Sequence, residues 1–202
     1  EAESKEWQAR RMEVYAAQVD RMDQGIGRII ETLKDTGQLD NTLIMFLADN
    51  GGCAEEIGGG WGNNMPKNRI ATAKTRDGQD VIFGNDPNYM PGGEDTYQSY
   101  GVPWANVSNT PFRLYKHWVH EGGISSPLIA RWPEGIDAGR HGKLESQPGH
   151  LIDLMATCVD LGKATYPAKS GDTPIVPMQG TSLAPAFSGK DIGREAPIFW
   201  EH

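Results

Sequence analysis

Met12, Tyr15, Val19, Met22, Ile26, Ile29 and Leu33 recur at alternating steps of three and four residues. That spacing lines apolar side chains along one face of an α-helix. A stripe of this length must pack on something large, so the chain is expected to build a layered structure around it. The pattern stops at Asp35-Thr36-Gly37, where glycine can adopt the left-handed conformation that closes a helix. After a turn at Leu39-Asp40-Asn41, residues 42–48 are continuously apolar rather than alternating. This is the signature of a strand covered on both faces, as in a sheet sandwiched between helices. Helix, turn and buried strand together predict an α/β layer.

At 202 residues the chain can bury a sizeable core, as one domain or as a large part of a bigger one. No apolar run approaches the eighteen or so residues that a membrane span needs. Acidic residues outnumber basic ones, 27 against 19, for a net charge of -8. That balance argues against a nucleic-acid backbone as partner. The two cysteines, Cys53 and Cys158, supply neither a disulfide framework nor a zinc cluster.

From Cys53 to about Thr110 the periodicities vanish. Gly58, Gly59 and Gly60 sit together, and Pro66, Pro87, Pro91 and Pro103 are scattered among polar residues. This reads as a loop-rich insertion over residues 53–110, either a surface excursion or a substrate-facing segment. Trp61, Tyr89, Tyr97, Tyr100 and Trp104 would line a pocket or anchor the loop by packing. Regularity returns with a short strand at Leu128–Ala130, stopped by Pro133, and a second amphipathic segment at Leu151, Leu154, Met155, Cys158 and Leu161. A Pro/Gly/Ser-rich connection follows from Tyr166 to Gly189, and "APIFWEH" looks like the beginning of another strand.

Two clusters carry candidate chemistry. Asp49 and Asn50 follow the first strand directly, where α/β sheets place functional groups. Their oxygens suit a hard cation such as Ca2+ or Mg2+. Asp-Asn-Gly-Gly is equally good turn chemistry, and two ligands do not fill a calcium shell of six to eight oxygens. The second cluster is Arg113, Lys116, His117 and His120, followed by Glu121-Gly122-Gly123. Lys116 is a compact positive charge for a sulfate or phosphate ester, and the glycine pair permits close backbone approach. The alternative is a solvated basic stretch ending in a tight turn. The two histidines lack companions at metal-ligand spacing, and His120 fits a pocket wall or a core position better than a general acid.

In order, "YAAQVDRMDQGIGRIIETLKDTGQLDNTLIMFLADNGG" and "NTPFRLYKHWVHEGGISSPLIARWP" resemble the later half of the arylsulfatase-type sulfatases, within the alkaline-phosphatase-like superfamily. The resemblance runs from about Trp7 to His202 and is weakest through the insertion. It implies an α/β fold with a mixed, mostly parallel sheet between helices, and sulfuric ester hydrolase activity. It also implies that Asp49 and Asn50 ligate a divalent cation, typically Ca2+, and that Lys116 contacts the sulfate. Arg113 and His120 map less securely, as substrate-pocket residues. The partner implied is a small-molecule or carbohydrate sulfate ester, and family members are frequently periplasmic, secreted or lysosomal.

The family's nucleophile is a formylglycine made from Cys/Ser-x-Pro-x-Arg, a motif that does not occur in these 202 residues. The expectation is therefore an incomplete sulfatase catalytic domain over residues 1–202, lacking the N-terminal nucleophile region and the C-terminal subdomain. Such a piece would be inactive alone and would work with the remaining parts of the same sulfatase. The alternatives are a non-catalytic binding piece of the same fold and a phosphoester or phosphonate hydrolase of the same superfamily.

Overall fold

The computed structural model describes residues 4–57 and 74–199. Gly58, Gly59, Gly60, Trp61 and Pro66, and the end of the expected last strand at Trp200-Glu201-His202, lie outside them. Element order is α1 (Lys5–Asp35), β1 (Ile44–Leu47), β2 (Ile82–Phe83), β3 (Thr96–Tyr97), α2 (Gly101–Ser108), α3 (Glu121–Ile124), β4 (Leu128–Arg131), α4 (Ile152–Leu161), β5 (Lys169–Ser170) and β6 (Thr173–Pro174). The chain divides into two compact units, one formed by residues 1–33 and 50–127, the other by 34–49 and 128–202.

In the first unit α1 is held by its opening turns. Trp7 and Arg11 are its buried residues. Trp7 donates its indole N–H to the Tyr89 carbonyl at 2.8 Å, and the Arg11 guanidinium stacks over the Trp7 ring at 4.5 Å. Arg11 also donates to the Ser99 carbonyl at 2.6 Å and pairs with Glu56 at 3.4 Å. Burial pulls the Arg11 guanidinium below its ordinary pKa, while the Glu56 carboxylate pushes it back up.

The long apolar stripe behaves differently from expectation. Tyr15, Val19, Met22 and Ile29 stay exposed among the described residues. Tyr15 stacks on Tyr100 with ring centroids 4.9 Å apart. The helix forms over the stripe as the periodicity predicts, but its buried residues are Trp7 and Arg11, which lie before the stripe.

The segment read as irregular carries its own structure. β2 and β3 pair in parallel, with Ile82 opposite Thr96 and Phe83 opposite Tyr97. α2 begins at Gly101, whose φ of 75° lies in the left-handed region. A side chain there would run into Glu56 and Arg11. Pro103 falls in the first turn of α2, where its missing N–H costs nothing because the first four helical donors have no intrahelical acceptor. Two of its described aromatic residues make contacts within the unit. Trp104 donates to the Gln8 carbonyl at 2.9 Å, and Tyr97 stacks on Phe83 at 5.2 Å.

In the second unit β1 and β4 form a two-stranded antiparallel pair, with Ile44 opposite Arg131 and Leu47 opposite Leu128. The strand expected to be covered on both faces is only partly so, and Phe46 and Ile129 remain exposed. α1 ends as expected: Gly37 takes φ 67° and donates its N–H to Lys34 at 3.0 Å.

α4 corrects the second amphipathic reading. Its buried residues are Asp153, Ala156 and Thr157, whereas Leu151 and Met155 are exposed. Asp153 is fully buried and works as a hub. Its carboxylate accepts the backbone N–H groups of His150 at 2.7 Å and Thr181 at 2.8 Å, and it pairs with Arg194. Its carbonyl accepts the Thr157 hydroxyl at 2.7 Å, whose oxygen in turn accepts the Leu183 N–H at 2.8 Å. Hydrogen bonding rather than apolar burial thus decides which face of α4 turns inward. β5 and β6 pair antiparallel within the Pro/Gly/Ser-rich connection. The expected strand at "APIFWEH" does not form over its described part, residues 196–199, where no neighbouring strand receives its backbone.

Candidate functional site

β1 ends at Leu47, and two residues later Asp49 and Asn50 enter a bend. Asp49 is exposed and Asn50 half-buried. Aspartate in an Asx turn ties a side-chain oxygen to a backbone N–H two residues on. Here neither the Asp49 carboxylate nor the Asn50 carboxamide hydrogen-bonds to a described residue, so their oxygens are uncommitted.

From Asn50 onward the chain is braced against the lysine loop by main-chain contacts. Gly51 donates its N–H to the Gly123 carbonyl at 3.0 Å, and Lys116 donates its N–H to the Gly52 carbonyl at 3.1 Å. Gly122 donates to the Arg113 carbonyl at 2.9 Å, which folds the loop back on itself. A Cβ on Gly51 would overlap the Gly122 carbonyl, and a Cβ on Gly122 would overlap the carbonyls of Arg113 and Leu114. The expected role of the glycine pair, close backbone approach, is therefore realised against protein backbone on both sides.

Asn109 ties this arrangement together. Its carboxamide oxygen accepts the Gly52 N–H at 3.0 Å, and its amide donates to the carbonyls of Ala105 at 2.8 Å and Leu114 at 3.2 Å. One side chain thus joins the end of α2, the bend after β1 and the lysine loop. The loop itself holds two non-glycine residues in left-handed conformations, Leu114 at φ 66° and His117 at φ 94°. Such conformations are held only where surrounding contacts fix them, and they recur at functional sites.

Lys116 is half-exposed, and its ammonium stands 3.4 Å from the Glu55 carboxylate. Arg113 contributes its carbonyl to the loop, while its exposed guanidinium makes no hydrogen bond or ion pair among the described residues. His120 caps α3 and accepts the Gly123 N–H at 2.7 Å through its carbonyl. Among the described residues its ring Nδ1 is buried without a partner. Tyr100 borders the bend: a Cβ on Gly52 would strike its hydroxyl. Burial raises the Tyr100 phenol above its ordinary pKa, and a hydrogen bond with Ser108 partly offsets that rise.

The structure thus brings the bend carrying Asn50 and the loop carrying Lys116 together through hydrogen-bonded backbone. The sequence reading missed Asn109 and Glu55. Asn109 offered only turn chemistry before Thr110-Pro111, and Glu55 lies 61 residues from its lysine, too far for any local spacing signal.

The donor chemistry of Asp49 and Asn50 suits a hard divalent cation, but it is partial. Among the described residues no group of three or more His, Cys, Asp or Glu side chains could hold a metal ion. Cys53 and Cys158 are free thiols, Cys53 half-buried and Cys158 exposed. No helix among the described residues is long and apolar enough to cross a membrane.

A sulfatase family model matches residues 1–164. An arylsulfatase of Klebsiella aerogenes is 32% identical over 197 residues, which is 97% of this chain and 39% of that protein. An uncharacterized sulfatase of Schizosaccharomyces pombe is 31% identical over 202 residues, 98% of this chain and 34% of the relative. The human N-acetylgalactosamine-6-sulfatase is 26% identical over 187 residues, 92% of this chain and 25% of its own length. The chain spans little more than a third of the length of the first two relatives.

Proposed function

The chain belongs to the sulfatase family, and on that premise we propose that its protein hydrolyses organic sulfate esters, with Lys116 against the sulfate and Asp49 and Asn50 as ligands of a hard divalent cation such as Ca2+. The observation that carries this reading is the brace of Gly51 on Gly123 and Lys116 on Gly52. It bonds the backbone of the lysine loop to the stretch that directly follows Asn50. Membership brings an alkaline-phosphatase-like α/β fold. We extend this to a whole domain in which β1 and β4 belong to a larger, mostly parallel mixed sheet and another layer covers the face that bears the exposed cross-strand pair Phe46 and Ile129. Residues 1–202 would then form one part of the catalytic domain, with residues 53–110 as an insertion beside the site.

The reaction is R–O–SO3⁻ plus water giving R–OH, SO4²⁻ and H⁺. Negative charge gathers on the departing oxygen while the sulfate oxygens remain charged, so preorganised positive groups stabilise the transition state. Lys116 offers ammonium N–H donors to those oxygens, and the backbone brace fixes where its side chain starts from. A hard cation bound through Asp49 and Asn50 would add Lewis-acid stabilisation of the same group. Further oxygens must complete its shell. Arg113, with its guanidinium uncommitted, and His120, at the wall, border the loop as pocket residues for the organic part of the ester. None of these 202 residues supplies a formylglycine nucleophile, since neither Cys53 nor Cys158 stands in the required motif.

The test uses the full-length protein that carries these residues, assayed on an aryl sulfate and an aryl phosphate. The Lys116→Ala variant should lose about 10²–10³ in kcat/KM on the sulfate, the cost of removing one preorganised oxyanion contact. An unchanged kcat/KM, or wild-type protein that prefers the phosphate, overturns the reading.

A further inference from the structure

Glu55 is the carboxylate that faces the proposed sulfate-binding lysine. Its oxygen lies 3.4 Å from the Lys116 ammonium, and the two side chains are 50% and 42% exposed. Its backbone has little freedom to move away. Ala54 before it is buried. Glu56 after it is tied to Arg11 and Asn85, and Ile57 accepts the Asn85 N–H at 2.9 Å. Among the described residues Lys116 is the ion-pair partner of Glu55, and Glu55 that of Lys116. An anion approaching this ammonium therefore meets a negative charge beside it. Structural support alone would be a weak reason for the pair, because exposed ion pairs contribute little to stability.

We propose that Glu55 sets the charge preference of the site, weakening doubly charged anions relative to singly charged ones. The inference rests on Lys116 being the anion-binding group. A sulfate monoester carries one negative charge at neutral pH. The inorganic sulfate released from it carries two, and phosphate species carry between one and two. Coulomb repulsion scales with the product of the charges, so a dianion meets twice the repulsion from Glu55 that a monoanion meets. The carboxylate thus favours entry of the ester over retention of the product and over phosphate analogues, a repulsive contribution to specificity.

The proportionality makes a quantitative test. Removing the Glu55 charge should improve dianion binding by the square of the factor gained by a monoanion. For groups about 6 Å apart in water the unit factor is about threefold, so the dianion factor is about tenfold. The experiment uses the full-length protein and its Glu55→Gln variant. The inhibition constant of benzenesulfonate, a monoanion, is compared with those of inorganic sulfate and inorganic phosphate, with an aryl sulfate as substrate. The expected result is a benzenesulfonate constant about threefold lower, a sulfate constant about tenfold lower, and both differences shrinking as salt is raised. Equal shifts for both charge classes, or no shift in either, overturn the proposal. Lys116→Ala separates it from its premise. If that variant binds all three anions like wild type, the assignment of Lys116 fails. If it weakens all three while Glu55→Gln leaves the sulfate-to-benzenesulfonate ratio unmoved, the Glu55 proposal alone fails.

Discussion

Lys116 donates its backbone N–H to the Gly52 carbonyl at 3.1 Å, so the proposed sulfate-binding residue is bonded directly to the bend that carries Asn50. The two residues are 64 positions apart, and no side chain takes part in that bond. What fixes the lysine is the path of the main chain, and the side chains around it act by holding that path.

Asn109 has the largest share in that support. Replacing it with alanine leaves the Gly52 N–H and the Leu114 carbonyl without their side-chain partners. Both bonds are part-buried, and losing one costs about 0.5–1.5 kcal/mol. Asn109→Ala should therefore lower the stability of the full-length protein by about 1–3 kcal/mol in urea unfolding. A loss under about 0.5 kcal/mol, the range of an ordinary surface change, would show that the loops hold together without it.

Gly51→Ala tests the close approach itself. The added methyl would meet the Gly122 carbonyl, and backbone cannot rotate away as a flexible side chain can. The expected result is a drop in kcat/KM together with a lower melting temperature. Gly37→Ala serves as the comparison: it sits at φ 67° in open space, so it should cost stability with kcat/KM unchanged. Wild-type behaviour of Gly51→Ala would mean that the brace is loose.

In the second unit, Asp153→Ala would leave Arg194 largely buried without its carboxylate and remove the acceptor for the His150 and Thr181 N–H groups. Breaking one side of a buried pair costs about 3–5 kcal/mol. Pairing Asp153→Leu with Arg194→Met should recover part of that loss, because an apolar pair leaves no buried charge. A double mutant as unstable as Asp153→Ala would point instead to the two N–H bonds as the main contribution.

Tyr100 makes the fold sensitive to alkali. Burial raises its phenol above the ordinary value of about 10. The folded state therefore holds this proton more tightly than the unfolded chain does, and the resulting stability is complete below about pH 10. It is lost as pH rises through the folded value. Unfolding free energy measured from pH 9 to 11 should fall in the wild type and fall less steeply in Tyr100→Phe. Parallel slopes would assign the alkaline loss to other groups.

Much of this was readable from residue order. Gly37 closes α1, the apolar run at 42–48 contains β1, and Leu128 opens β4, because each signal is local. Burial was less readable. The stripe from Met12 to Leu33 declares a helix face but not which of its turns finds a partner, and the anchoring fell to Trp7 and Arg11. On α4 the apolar count named Leu151 and Met155, yet the carboxylate of Asp153 found backbone donors from His150 and Thr181 and drew the opposite face inward. At the site, Lys116 stood out only through the family resemblance, because a lysine in a basic stretch before Glu-Gly-Gly reads equally well as solvated surface. Asn109 and Glu55 did not, because their meaning lies in contacts across 57 and 61 residues.

The joint between the Asn50 bend and the lysine loop is closed by peptide groups and glycines, with one carboxamide as rivet. Phe112, Arg113 and Trp118 are exposed around it. A combinatorial library at those three positions should therefore show whether they set what the proposed site accepts, since none of their side chains takes part in the joint. The same joint gives that library its limits: Gly51, Gly52, Asn109, Gly122 and Gly123 have to be kept fixed for substrate range to be retuned without rebuilding the chemistry.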